Sequence, residues 1–270
     1  MPPRPLYRLL HYNAWQGQSF STSYLICREL TWHKIATPEE WRAANLALLA
    51  KEEEHSRAAE AIIAERQALP MVPLTKTYTF QSTDGPVTLR ELFGTKSQLI
   101  VYHSMFEPTA EEGCRGCAFM HANFPDLRHL AERDTALVVI SRAPIEKITP
   151  YKEKNSWKFP WVSSYASDFN YDFHVTLDEK VAPVELNFKR KEELTAAELK
   201  GASGEQPGMS VFKLEDGQVY HTCSTASMME LLGTYNFLDL TPAGKQDGPE
   251  GPCQFKTPAD YDEESKKSSK

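Results

Sequence analysis

Two cysteines that stand three positions apart, Cys114 and Cys117, follow an apolar run and precede a helical pattern. Residues 99–103 are almost continuously apolar, which is typical of a central buried strand. A helix that begins just after this run places Cys114 beside unpaired backbone N–H groups and the positive end of the helix dipole, which favours a thiolate. Cys117 lies one turn further on, within reach of a disulfide. The spacing therefore predicts a redox dithiol with Cys114 as the exposed nucleophile and Cys117 as the buried resolving thiol.

Charged residues flank this pair and act on the first thiol in opposite directions. Glu111 and Glu112 oppose a thiolate at Cys114, whereas Arg115 favours one. With the helix dipole added, we expect a Cys114 pKa below the free value of about 8.5.

Charge and cysteine usage exclude several classes of protein. The 270 residues carry a formal charge of -7 without a basic stripe, which argues against nucleic acid as a partner. No apolar run reaches the roughly 18 residues that a membrane span requires. Five cysteines, an odd number, do not form a secreted disulfide framework. We therefore expect an intracellular, cytoplasmic protein in a reducing environment.

Two segments precede the main domain. Residues 1–30 are expected to be a disordered extension, and their arginine and serine content leaves a mitochondrial targeting segment open. Residues 31–70 form a helical segment, because Thr37 and Glu40 make a capping box and Pro70 bounds the end. One apolar stripe along this helix predicts docking either on the same chain or in a homodimer.

Residues 71–242 alternate between strand and helix patterns. Hairpin signals occur at Asp84-Gly85 and at Asp216-Gly217. Strands separated by helices indicate parallel pairing through right-handed crossovers. We therefore predict an α/β fold with a central mixed sheet flanked by helices, preceded by the long N-terminal helix and followed by a disordered tail at residues 243–270.

Several stretches of the domain together resemble the thioredoxin-like domain-of-unknown-function family eight-nine-nine, in the alkyl-hydroperoxide-reductase and thioredoxin-like superfamily. The stretches lie at residues 69–72, 98–103, 112–117, 139–144, 159–164, 167–170, 221–225 and 235–242. The resemblance covers about residues 31–242 and implies a thioredoxin-like fold with a redox site. Two departures stand out. Ala118 replaces a serine common in the family, and Pro108 and Thr109, six and five residues before Cys114, lie too close together for a peroxiredoxin pattern.

Five further residues are candidates for the site in such a fold. Pro207 has the spacing of the thioredoxin proline, which is cis and lies against the dithiol. His103, Arg142 and the strand end before Asp168 are expected to face the dithiol, because ligands bind beyond the carboxyl ends of strands. Arg142 holds an anionic substrate, stabilises the Cys114 thiolate, or makes a structural ion pair for which Asp168 is a candidate partner. His103 either assists proton transfer or is a satisfied histidine. Trp161 either walls the cleft or packs in the core.

Three functions remain open on this basis. The first is a thiol–disulfide oxidoreductase, the second a thiol peroxidase of peroxiredoxin type, and the third a non-catalytic redox-sensing or binding module. The expected partners are a disulfide-bearing protein or a small thiol or peroxide. We expect no cofactor and no metal, because one C-x-x-C supplies only two of the four ligands of a zinc site.

Overall fold

The computed structural model describes residues 34–248 and 250–268. The chain divides between Met71 and Val72 into two compact units. The first contains the long helix α1 (Pro38–Gln67), and the second contains everything described from Val72 onward. The extension expected at residues 1–30 lies outside the described residues.

Helix α1 begins at the predicted capping box. The Thr37 hydroxyl accepts a hydrogen bond of 3.2 Å from the N–H of Glu40, whose carboxylate accepts one of 2.9 Å from the N–H of Thr37. Such a cap stabilises a helix by about 1 kcal/mol. None of the residues of α1 is buried, and the stripe residues Trp41 and Ile62 are 63% and 56% exposed. Docking of this stripe in a homodimer stays a prediction.

The second unit is built from twelve strands and seven helices. The strands are β1 (Val72–Pro73), β2 (Thr79–Ser82), β3 (Gly85–Thr88), β4 (Gln98–His103), β5 (Thr135–Ser141), β6 (Trp161–Ser163), β7 (Thr176–Leu177), β8 (Glu185–Leu186), β9 (Lys189–Arg190), β10 (Gly204–Glu205), β11 (Gly208–Glu215) and β12 (Gln218–Thr225). The helices are α2 (Arg115–Ala122), α3 (Leu127–Ala131), α4 (Ile145–Lys154), α5 (Phe169–Asp172), α6 (Ala196–Gly201), α7 (Gly233–Asp239) and α8 (Pro258–Ser268).

Eight of the strands form one mixed sheet in the order β1-β12-β11-β4-β5-β6-β2-β3. Strands β4, β5 and β6 are parallel, and the crossovers between them contain α2 with α3 and then α4. The hairpin β11–β12 adds antiparallel to β4. A parallel β-α-β unit beside an antiparallel hairpin is the core of the thioredoxin-like fold, so the predicted fold class is confirmed.

The central strands separate two apolar cores. Successive side chains of a strand point to opposite faces of the sheet. On β4, Tyr102 packs with Cys117 of α2 in one core, while Leu99 and Val101 pack with Phe169 in the other. The dithiol thus belongs to the face covered by α2 and α4.

The helical region after the dithiol and the C-terminal tail complete the second unit. Pro125 lies between α2 and α3, where a continuous helix would need the interior hydrogen bond that a proline cannot donate. In place of a disordered tail, residues 251–254 form a 3₁₀ turn and α8 follows. The tail buries Pro252, Thr257 and Ala259, which composition alone did not indicate.

Candidate redox site

The two cysteines occupy the start of α2, where β4 ends. Cys114 is the N-cap residue, and its N–H donates to the carbonyl of Met105 at 2.9 Å. Cys117 is 1% exposed, whereas Cys114 is only partly buried. Gly113 permits this turn, since a Cβ at that position would lie 3.0 Å from the Tyr151 ring. The arrangement presents one sulfur toward solvent and buries the other.

Hydrogen-bond donors surround the buried Cys117 sulfur. The Met105 N–H donates to it at 3.3 Å. Burial by itself raises the pKa of Cys117, but hydrogen bonds from the Cys114 thiol, the Tyr102 hydroxyl, Met105 and Ser104 outweigh burial and lower that pKa. Tyr102 and Ser104 are the weaker donors, because neither hydroxyl has a well-formed hydrogen bond. The pair therefore carries its first negative charge at Cys117.

The Cys114 thiol is correspondingly hard to ionise. It donates to Cys117, and this hydrogen bond, followed by burial, raises the pKa of Cys114 to about 12, while Cys253 acts in the opposite direction. The expectation of a Cys114 pKa below the free value is wrong. The helix N-terminus favours a thiolate at Cys114, but this effect is outweighed because the Cys117 sulfur takes the negative charge.

The charged residues near the pair are bound elsewhere. Glu112 pairs with Lys154 at 2.8 Å, and Glu111 pairs with Lys147 at 3.2 Å. Arg115 lies 3.6 Å from Asp260 of α8. These exposed side chains are partly neutralised by their partners, so they control the thiols less than their sequence positions suggest.

A third cysteine, Cys253, lies at the site although it is 136 residues beyond Cys117 and belongs to no cysteine motif. Its thiol interacts with Cys114 as a hydrogen-bond donor, and none of the four described cysteines forms a disulfide. A signal for the ordered tail was present in Thr257-Pro258, which repeats the Thr37-Pro38 pattern that begins α1. A threonine N-cap before proline is a helix start.

His103 points away from the dithiol. Its ring stacks on Phe173 and packs on Phe169 in the opposite core, and its Nε2 bonds to Ser210 at 2.8 Å. Burial lowers the pKa of His103 to about 3, and His221 contributes. The structure thus favours a buried structural histidine, of which Nε2 is hydrogen-bonded and Nδ1 is not, over a role in proton transfer at Cys114.

Arg142 makes an ion pair, but with Glu205 at 3.2 Å instead of Asp168. Asp168 bonds instead to Lys76 at 2.8 Å. The Arg142 guanidinium also lies 4.9 Å from the centre of the Tyr171 ring. Arg142 lines an open cleft of about 320 Å³ together with the carboxylates of Glu107, Asp178 and Glu205. Three carboxylates beside one guanidinium do not favour an anionic substrate.

Pro207 and Trp161 are both buried near the dithiol core. The bond before Pro207 is trans, because the described residues contain no cis peptide, so the expected cis proline is wrong. Pro207 leads directly into β11, whose Met209 shares the apolar core of Cys117. The Trp161 indole donates to Ser141 at 3.0 Å and packs on Phe106, so it is a core residue.

Among the residues placed by the structure, no group of three histidine, cysteine or carboxylate side chains could hold a metal ion. Within the same residues, no helix is long and apolar enough to cross a membrane.

This fold and site define a class of protein. It is a thioredoxin-like α/β domain with a cysteine pair at the start of its first crossover helix. The family described as "Bacterial protein of unknown function (DUF899)" matches residues 30–261, and the chain belongs to that family. A comparison with curated proteins finds no match.

The solved structures with a weak likeness include bacterial peroxiredoxins. Peroxidoxin BcpB of Mycobacterium tuberculosis is 17% identical with a TM-score of 0.38, over 62% of this chain and 94% of that one. A PrxQ mutant of Xylella fastidiosa is 12% identical with a TM-score of 0.39, over 63% and 96%. At such scores the likeness carries no argument about chemistry.

Proposed function

We propose that this protein is a thiol–disulfide oxidoreductase that uses Cys114 and Cys117. The observation that carries the proposal is the contact between a partly buried Cys114 and a fully buried Cys117 whose pKa is lowered by hydrogen-bond donors. Of these two cysteines, Cys114 is the more exposed and therefore the one that a substrate sulfur reaches first. The substrate class is a thiol or disulfide on a protein or small molecule.

The distribution of charge favours one direction of the reaction. A stabilised thiolate in the reduced form makes a couple more oxidising, and a thiol of low pKa is the better leaving group. Cys117 has the lowered pKa, whereas the pKa of Cys114 is raised to about 12. The disulfide form is therefore suited to accept electrons from substrate thiols, and the dithiol form is a slow reductant.

The reaction balances as a two-electron exchange. A substrate thiolate attacks the Cys114 sulfur of the Cys114–Cys117 disulfide, and Cys117 leaves as a thiolate. A second substrate thiolate attacks the substrate sulfur of the mixed disulfide and displaces Cys114, which takes a proton from water. The substrate is oxidised to its disulfide and the enzyme pair is reduced. A small-molecule disulfide, such as oxidised glutathione, restores the enzyme.

A redox titration tests this proposal. The protein is equilibrated in glutathione buffers of graded potential, quenched in acid and alkylated, and protected thiols are counted by mass. We expect two thiols to be lost at one midpoint, more oxidising than about −270 mV. Oxidation of a dithiol peptide by the disulfide form should disappear in Cys114→Ser and persist in Cys223→Ser. A missing midpoint, or full activity in Cys114→Ser, would overturn the proposal.

Assays on the same protein distinguish the two alternatives, a thiol peroxidase and a redox-sensing module, from the oxidoreductase. Rapid consumption of hydrogen peroxide with a sulfenic acid at Cys114 would replace the oxidoreductase by a peroxidase. A reversible midpoint without any turnover of thiols or peroxide would leave a redox-sensing module.

A further inference from the structure

The tail of the domain packs directly on the helix that carries the dithiol. Phe255 stacks on Phe119 of α2 with ring centroids 4.0 Å apart and also contacts Tyr235 of α7. Gly251 and Pro252, which precede Cys253, are buried. Stacked aromatic rings of this kind contribute about 0.5–1.5 kcal/mol beyond the area they bury. The 3₁₀ turn that contains Cys253 is therefore held against α2 from its own flanks.

Helix α8 anchors the other side of this turn. The Thr257 hydroxyl and the Asp260 carboxylate cap the helix through bonds of 3.3 and 3.0 Å. The Ala259 N–H donates to Asn155 at the end of α4 at 3.4 Å. Asp260 also pairs with Arg115, the residue next to Cys114. Two contacts that follow Cys253 in the chain thus connect its turn to α2, one through Phe119 and the other through Arg115.

The three sulfurs form an ordered chain. Cys253 donates toward Cys114, and Cys114 donates toward Cys117. Cys114 is the central sulfur with a thiol on either side, and Cys253 is more exposed than Cys117. A disulfide requires sulfurs that approach to about 2 Å, and the stacking of Phe255 on Phe119 keeps the turn of Cys253 beside the helix that begins at Cys114.

We propose that Cys253 is a third redox cysteine, which takes the disulfide from the Cys114–Cys117 pair and carries it to the C-terminal turn. This inference rests on the proposed oxidoreductase function and assigns a further catalytic residue to it. The Cys253 thiolate, having lost its proton to water, attacks the Cys114 sulfur. A Cys114–Cys253 bond forms, the Cys114–Cys117 bond breaks, and Cys117 leaves as a thiolate, so no electrons are gained or lost overall.

The surroundings of Cys117 favour this exchange. A leaving thiolate departs faster when it is stabilised, and the Met105 N–H already donates to the Cys117 sulfur at 3.3 Å. The exchange also transfers a disulfide from a fully buried sulfur to a turn near the surface. The C-terminal turn then presents the oxidised sulfur to a second thiol.

The tryptic peptides of this chain distinguish the two disulfides, because Arg115 lies between Cys114 and Cys117. The peptides that carry Cys27, Cys114, Cys117, Cys223 and Cys253 are residues 9–28, 97–115, 116–128, 214–245 and 246–256. The wild-type protein is equilibrated in graded glutathione buffers, quenched in acid, alkylated and digested without reduction. Linked peptides are then quantified by mass spectrometry.

We expect the 97–115 peptide to link to 116–128 and also to 246–256. The link to 246–256 should account for about a tenth or more of the total Cys114. A tenth corresponds to a preference of about 30 mV for the Cys117 partner. In Cys117→Ser the link to 246–256 should become the main one, and in Cys253→Ser it should vanish. Cys223→Ser is the matched control and should leave the pattern of the wild type.

Two results would overturn the inference, and they differ in what they say about the function. If 97–115 links only to 116–128, and Cys117→Ser forms no link to 246–256, Cys253 is not a redox residue while the proposed function stands. If 97–115 links to neither peptide at any potential, the proposed function fails as well. The wild-type measurement keeps the test valid if Cys117→Ser does not fold.

Discussion

The N–H of Met105 donates to the Sγ of Cys117 at 3.3 Å, and the carbonyl of Met105 accepts the N–H of Cys114 at 2.9 Å. Met105, two positions beyond the end of β4, therefore binds the side chain of one cysteine and the backbone of the other. This contact places a backbone donor at the buried sulfur, which helps to explain why the negative charge of the pair resides at Cys117.

Removing a second donor should make the couple less oxidising. Tyr102→Phe takes a hydroxyl away from the Cys117 thiolate, so the reduced form loses stability. One hydrogen bond of about 0.5–1 kcal/mol corresponds to about 10–20 mV, and the midpoint should fall by that amount. Tyr151→Phe is the control, because the Tyr151 hydroxyl donates to the Gly113 carbonyl at 3.4 Å. An equal fall in both variants would refute the role of Tyr102.

The reactivity of Cys114 should depend steeply on pH. Since the pKa of Cys114 is raised to about 12 by its bond to Cys117 and by burial, alkylation of the 97–115 peptide in the reduced protein should accelerate about tenfold per pH unit from pH 8 to 10.

Cys117→Ser should remove the main cause of the raised pKa of Cys114. A serine hydroxyl carries no charge at pH 8, so alkylation of Cys114 under reducing conditions should be about tenfold faster or more than in the wild type. Cys253→Ala removes a donor that lowers the pKa of Cys114, so it should slow the reaction or leave it unchanged. An unchanged rate in Cys117→Ser would contradict the assigned order of ionisation.

Acid should destabilise the domain through His121. The imidazole is 4% exposed among Tyr102, Trp157 and Phe159, and burial lowers its pKa to about 3. A histidine whose pKa is lower in the folded state than in the unfolded state binds fewer protons when the protein is folded. The free energy of unfolding therefore decreases as the pH falls below about 6.5. The loss from this one group is about 2 kcal/mol at pH 5.

His121→Leu should remove the part of the pH dependence of stability that His121 causes. Leucine has a similar volume and no titratable group, so urea unfolding at pH 7 and pH 5 should differ by about 2 kcal/mol less than in the wild type. His129→Leu is the control, because His129 is an exposed histidine of α3. An identical pH slope in both variants would show that His121 is protonated in the folded state.

The ion pair of Arg142 should contribute far more to stability than that of Lys76. The side chains of Arg142 and Glu205 are 21% and 4% exposed, so Arg142→Met leaves a buried carboxylate and should cost about 3 kcal/mol at pH 8. Lys76→Met affects exposed partners and should cost less than about 1 kcal/mol.

The loss of stability caused by Arg142→Met should also be smaller at acidic pH. Burial raises the pKa of Glu205 despite its hydrogen bond from Thr176 and the charge of Arg142. A carboxyl with a raised folded pKa takes its proton more readily when folded, so stability rises as pH falls through that pKa. Denaturant unfolding at pH 8 and pH 5 measures the difference, and a larger cost at pH 5 would contradict this account.

Local signals in the sequence account for most of the fold. The capping box at Thr37, the turns at Gly85 and Gly217 and the break at Pro125 depend on interactions within about four residues. Partners distant in the chain were not predictable. Arg142 has Glu205 where Asp168 was expected, and Cys253 lies beside Cys114 although the composition of the tail indicates disorder.

A cysteine pair at the start of a helix in a thioredoxin-like domain follows from the sequence alone, because strand, turn and helix patterns and the spacing of two cysteines are short-range features. Which sulfur holds the charge, and which residues face it, depends on how the chain folds in three dimensions. Hydrogen bonds from the end of β4 and the packing of the C-terminal turn set the pKa values of Cys114 and Cys117. Such effects act over a few ångströms in space, between residues far apart in the chain, and no local pattern records them.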